Sequence, residues 1–124
     1  MTSKTLAVTL SIVPLLAASL LASGGQSGGK TSLQSERLIL ENSRVRVLEY
    51  TSRPTGGVCG VGEHSHPPHL TIILDPARDR MVTGGGKPEE ADLKPGDVFW
   101  SDGETHTDLN IGSTNSRLIV VELK

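Results

Sequence analysis

Residues 58–74 read VCGVGEHSHPPHLTIIL, and they place three of the chain's four histidines, His64, His66 and His69, directly before an apolar run. His64 and His66 are two apart, so on a strand both imidazoles leave the same face. Two neutral imidazoles converging on one point are a metal-ligand arrangement, because each offers a lone pair without needing a charge partner. The bland alternative is a surface strand with two solvated histidines. Pro67-Pro68 ends regular strand geometry straight after His66. In an unbroken strand His69 would face away from His66, whereas a proline-induced bulge would return it to the same side. The fourth histidine, His106, lies far along in SDGETHTDLN (residues 101–110). A site using all four must therefore be assembled by the fold.

Outward from this stretch the sequence reads as all-β. Short apolar runs are punctuated by turn residues at close intervals, and no segment holds a helical period. RLILE (37–41) and RVRVLEY (44–50) flank the turn pair Asn42-Ser43. Val45 and Val47 alternate with Arg44 and Arg46, which predicts that the valines face the core. LTIIL (70–74) is a strand, followed by a polar loop around Asp75-Pro76. Further strands are expected at 81–83, from residue 90 to 93, at VFW (98–100), through THTDLN and over RLIVVEL (117–123). About eight or nine short strands at these spacings predict a sandwich or barrel of the jelly-roll type. Of Phe99 and Trp100, one is expected in the core and the other lining the barrel or a subunit contact.

The first 24 residues have the order of a secretory signal peptide: one cation at Lys4, an apolar run over 6–21, then Ala22, Ser23 and Gly24. Pro14 interrupts the run, which is short for a spanning helix. The expected product is soluble and secreted or periplasmic, with no membrane attachment after cleavage. Residues 25–32 are a flexible linker in composition, leaving 33–124 as the folded domain. Without Lys4 the chain carries 11 Lys plus Arg against 14 Asp plus Glu, a formal charge of −3, which is no nucleic-acid footprint. Cys59 is the single cysteine, so no internal disulfide can form. It reads as a small buried filler, with a thiolate near a metal as the alternative.

HSHPPH followed by an apolar strand, and then KPGDVFWSDGETHTDLN (94–110), resembles the two motifs of the cupin superfamily, most closely its small single-domain members. The resemblance spans about 45–123 and implies a double-stranded β-helix, a jelly-roll barrel that holds a divalent metal inside. His64 and His66 match the HxH pair of the first motif. Gly96, Gly103, His106 and Asn110 match the second. The family's glutamate ligand is missing, since its position falls near His69, Leu70 or Thr71. Ser101 stands where the second motif usually has proline, and DPARDR replaces the glycine-bearing turn that closes the first. The ligand set that the resemblance implies here is His64, His66, His69 and His106.

Four neutral ligands would leave a divalent ion its full +2 charge, making bound water more acidic and anionic ligands more welcome. Imidazole suits Fe, Mn, Ni, Cu or Zn, and the sequence does not choose among them. Three readings follow. The chain is a metal-dependent oxygenase or related small-molecule enzyme, a non-catalytic metal- or metabolite-binding cupin, or a barrel needing no metal. Glu63, Asp102 and Glu104 stand beside motif residues, where they would orient a ligand or act as a base, or else be solvated turn carboxylates. A small barrel with exposed edge strands also makes a homodimer the expected assembly.

Overall fold

The structure, a computed structural model, describes residues 32–124. The expected leader and all but the last residue of the expected linker lie outside the described residues. Nine strands follow in order: β1 Gln34–Glu41, β2 Val45–Ser52, β3 His64–His66, β4 His69–Asp75, β5 Ala77–Thr83, β6 Glu89–Leu93, β7 Val98–Ser101, β8 Glu104–Asn110 and β9 Ser116–Leu123. They form a five-stranded sheet, β1-β2-β9-β4-β7, and a four-stranded sheet, β3-β8-β5-β6, with every pairing antiparallel. No helix occurs among the described residues. This is the all-β double-stranded β-helix.

The core is small. Leu48, Tyr50, Val58, Ile73, Leu118 and Val120 are buried together, each side chain contributing on the order of 2 kcal/mol by leaving water. All but Val58 come from the inner face of the five-stranded sheet, and Val58 comes from the β2–β3 loop. That face also carries Arg46: the buried positions of β2 are Leu48, Tyr50 and Ser52, two apart. Val45 and Val47 therefore lie on the outer face, against the sequence expectation. Arg46 can share the core's face because it sits at the barrel end, its guanidinium 3.7 Å from Glu122 and 3.5 Å from Glu36. Val47 instead joins an apolar row across the outside of the sheet, formed in register by Leu40, Val47, Val121, Leu70 and Trp100.

Two other expectations change. The loop read around Asp75-Pro76 is only a corner at Pro76, and β5 already begins at Ala77. Phe99 and Trp100 are both about half exposed, and neither enters the core. Phe99 shares a face with Thr71, its partner across the ladder, and both line the cavity described below. Trp100 donates to Asp102.

The glycines of the second motif have conformational work to do. Gly96 (φ 90°) and Gly103 (φ 103°) occupy the left-handed region, which costs a residue with a Cβ but not glycine. Gly96 turns the chain into β7, and Gly103 turns it from β7 into β8. Asn110, fully buried, ends β8 by donating to the Thr114 carbonyl and accepting from the Gly112 amide.

Candidate metal centre

β3 and β8 bring the two motifs together. In their antiparallel ladder His64 is the Cα partner of His106, which places His64, His66 and His106 inside one end of the barrel. Their rings are close: centroids lie 4.9 Å apart for His64 and His66, 4.6 Å for His64 and His106, and 5.4 Å for His66 and His106. Pro67-Pro68 is not a bulge that returns His69 to the strand of His66. It is a corner between sheets, with His66 ending β3 in one and His69 opening β4 in the other. His69 is buried, its ring centroid 5.0 Å from that of His66.

Each imidazole is oriented through its Nδ1. That atom lies 2.8 Å from the Gly62 carbonyl in His64, 3.0 Å from Glu122 Oε1 in His66, 2.8 Å from the Pro67 carbonyl in His69 and 3.0 Å from Glu104 Oε1 in His106. Carbonyl and carboxylate oxygens only accept, so each Nδ1 carries the proton and donates. Nε2 is left as a lone pair in all four, the state that binds a metal, with the outer partner fixing ring and tautomer. His66 Nε2 is buried without any hydrogen-bond partner among the described residues. His64 Nε2 and His106 Nε2 face each other at 3.0 Å, close enough to share a proton or to bind one ion together.

Cys59 completes the group. Its Sγ is 3.3 Å from His106 Nε2 and 3.7 Å from His64 Nε2. Donor atoms of Cys59, His64, His66 and His106 all lie within 4.8 Å of one another. His69 stands beside that group and not within it, so three of the four sequence-predicted ligands converge, together with the cysteine. The thiol is half-buried, packs against the core cluster as the filler reading expects, and is also hydrogen-bonded. Burial first, and then the Asp108 carboxylate, hold it well above the ordinary thiol range in the metal-free state. Burial also lowers His106, against the opposing pull of Asp108 and Glu104.

Asp108 on β8 positions the loop that brings Cys59 in. Its Oδ1 accepts the Val58 amide at 2.9 Å, and its Oδ2 accepts the Cys59 amide at 2.8 Å and the thiol at 2.7 Å. Thr55 and Asn110 add a backbone pair, Thr55 N to Asn110 O and Asn110 N to Gly56 O, both 2.8 Å. Gly60 then passes so near His64 that a Cβ there would lie 2.5 Å from its Nε2. Of the acidic residues considered from sequence, Glu104 holds His106 and Asp102 accepts from Trp100, whereas Glu63 is exposed. Glu122, Asp108 and Asp79 carry no local signal in the sequence. The one carboxylate bonded to the HxH pair, Glu122, enters from β9 as the partner of His66.

A cavity of about 290 Å³ opens beside the cluster, lined by Cys59, His69, Thr71, Asp79, Phe99 and His106 among others. Asp79 is the inward residue between Ala77 and Met81, and its Oδ1 is buried without a hydrogen-bond partner. Burial, and secondarily the charge of Asp108, push it up to about 7, against the Leu109 amide that lowers it. A raised carboxyl favours the protonated folded state. Its stabilisation is fully present below the unfolded value and is lost as pH rises through about 7. In metal-free protein, urea unfolding at pH 5 and pH 8 should show Asp79→Asn gaining stability over wild type between the two values, because the loss in wild type begins above the unfolded carboxyl value and is complete only past about 7. An equal difference at both values would place the charge elsewhere.

No protein-family model and no curated protein matches the sequence. Solved structures do. The chain is similar to a cupin domain from Bordetella pertussis, at 22% identity and TM-score 0.66, over 78% of this chain and 99% of that one. A Klebsiella pneumoniae protein with a double-stranded β-helix domain aligns at 18% identity and TM-score 0.59, over 76% and 78% of the two chains. A predicted oxalate decarboxylase from Thermotoga maritima aligns at 23% identity and TM-score 0.54, over 73% and 81%. Identities this low speak for architecture, and the architecture agrees in all three. The fold of this chain is thus the double-stranded β-helix, the architecture it shares with the cupin-domain structure.

Proposed function

We propose that this chain is a metal-dependent cupin in which His64, His66 and His106 hold a divalent ion at the edge of a cavity that takes a small organic molecule. The observation that carries the reading is the commitment of every Nδ1 to an oxygen acceptor, which turns three Nε2 lone pairs toward one place. A histidine cluster kept for packing alone has no need to strand a buried Nε2 without a partner.

The finer reading is an enzyme of the oxygenase or related small-molecule class. Two features support it. The cavity reaches His106 and Cys59, so a bound molecule would lie against the ion. Asp79, at about 7, is poised to give or take a proton near neutral pH. The bound ion would supply Lewis acidity or, for Fe or Cu, redox chemistry. The protein's own residues shape the cavity, orient the imidazoles and hold a proton at Asp79. The test has two stages. Protein loaded with each of Fe, Mn, Ni, Cu and Zn and then desalted should retain about one ion per chain by elemental analysis; none retained with any of them overturns the reading. Oxygen uptake with panels of small acids, diketones and phenols then divides the readings, and silence with every metal leaves a binding module.

A further inference from the structure

We infer that Cys59 is the fourth protein ligand of the metal, giving a three-histidine, one-thiolate centre that selects thiophilic ions. The inference rests on the metal-binding reading above and goes beyond it by naming a donor and the class of ion it favours. A lone cysteine near histidines would not carry this, but three observations converge on it.

The first is distance. A tetrahedral ion bonded to imidazoles at about 2.0–2.1 Å and to thiolate at about 2.3 Å holds its ligand atoms about 3.3 Å apart for two nitrogens and about 3.6 Å for sulfur and nitrogen. The corresponding separations here are 3.0 Å between His64 and His106, and 3.3 and 3.7 Å from Sγ to those nitrogens. The second is the orphaned Nε2 of His66, buried and belonging to the same group of donors. The third is that the sulfur is placed by dedicated contacts. Asp108 clamps the Val58 and Cys59 amides, and the glycine at position 60 lets the loop lie against the His64 ring.

The arrangement also answers the missing family glutamate. Without an anionic ligand a divalent ion keeps its full +2 charge inside the barrel. A thiolate cancels one unit, as a carboxylate would, but from a different strand interval and with a soft donor. On binding, the S–H bond breaks and the metal–sulfur bond forms. The proton passes along the existing hydrogen bond to Asp108 Oδ2, 2.7 Å away, and from there to solvent. No oxidant or reductant is required. Soft sulfur shifts preference toward Zn, Co and Cu and away from Mn.

Cobalt(II) titration of the full chain provides the test, because thiolate bound to cobalt gives a near-ultraviolet charge-transfer band that imidazoles do not. One equivalent of cobalt should produce the band together with visible d–d absorption. Cys59→Ser should lose the charge-transfer band while keeping the d–d spectrum, with cobalt affinity at least tenfold weaker. His69→Ala should keep both features. Wild-type protein that binds cobalt without the band overturns the Cys59 assignment and leaves the histidine centre standing. Wild-type protein that binds no cobalt overturns the Cys59 assignment, and the histidine centre falls with it when none of the five ions above is retained either. Because the wild-type spectrum alone can refute the assignment, poor folding of a variant does not protect it.

Discussion

His106→Ala should abolish metal retention while leaving the barrel folded. The residue sits on β8 opposite His64, is 3% exposed and lies within 3.0–3.3 Å of two other donors, so its loss opens the middle of the set. Affinity should fall by at least about 100-fold, which is about 2.7 kcal/mol. Elemental analysis should then drop from about one ion per chain to under a tenth. A thermal scan offers an independent reading. An ion at about 100 times its dissociation constant stabilises wild type by about 2.7 kcal/mol, or roughly 10–20 °C in melting temperature for a domain of this size. The variant should show no such increment while retaining a β-type circular dichroism spectrum. An undiminished increment would mean that the ion sits elsewhere.

The second large effect belongs to Asp108, which touches no ion in this account. Replacing it with alanine strands two backbone N–H groups and a thiol that now share one carboxylate. Buried donors left unmade cost about 1–3 kcal/mol each, so Asp108→Ala should lose roughly 3–5 kcal/mol in metal-free protein. That is a large part of the 5–15 kcal/mol typical of a domain. Asp108→Asn keeps one acceptor oxygen for the loop and should recover about half of the loss. Urea unfolding in the presence of a chelator measures both. Equal stability of the alanine variant and wild type would show that the loop is held by Thr55 and Asn110 alone.

Much of the architecture was legible because turns and apolar runs are local signals. The Asn42-Ser43 turn, the LTIIL strand and the closing RLIVVEL strand each announce themselves within a few residues. β5 did not, because its inward positions are Ala77, Asp79 and Met81, and a carboxylate facing the interior breaks the alternation that marks a strand. The facing of β2 is hidden from the sequence for a related reason. Arg46 sits on the core's side because acidic partners at the barrel end receive it, and those partners are remote in sequence. Within the site, His64 and His66 declare themselves by spacing, and His106 by its motif. Cys59 and Asp108 are 49 residues apart, His66 and Glu122 are 56 apart, and no local pattern links either pair. The double proline was legible as an interruption, but whether it bulges a strand or turns it into another sheet depends on which strands flank it.

β9 comes last in chain order among the described strands and is the central one in the larger sheet. It lies between β2 and β4, brings Leu118 and Val120 to the core and sends Glu122 to steady His66. Until it arrives, the larger sheet is two unconnected halves, and the HxH pair has no carboxylate to set the rotation of its second ring. The strand that joins the two halves of the larger sheet therefore also carries the acceptor that orients His66, so sheet closure and the setting of that ring depend on one element.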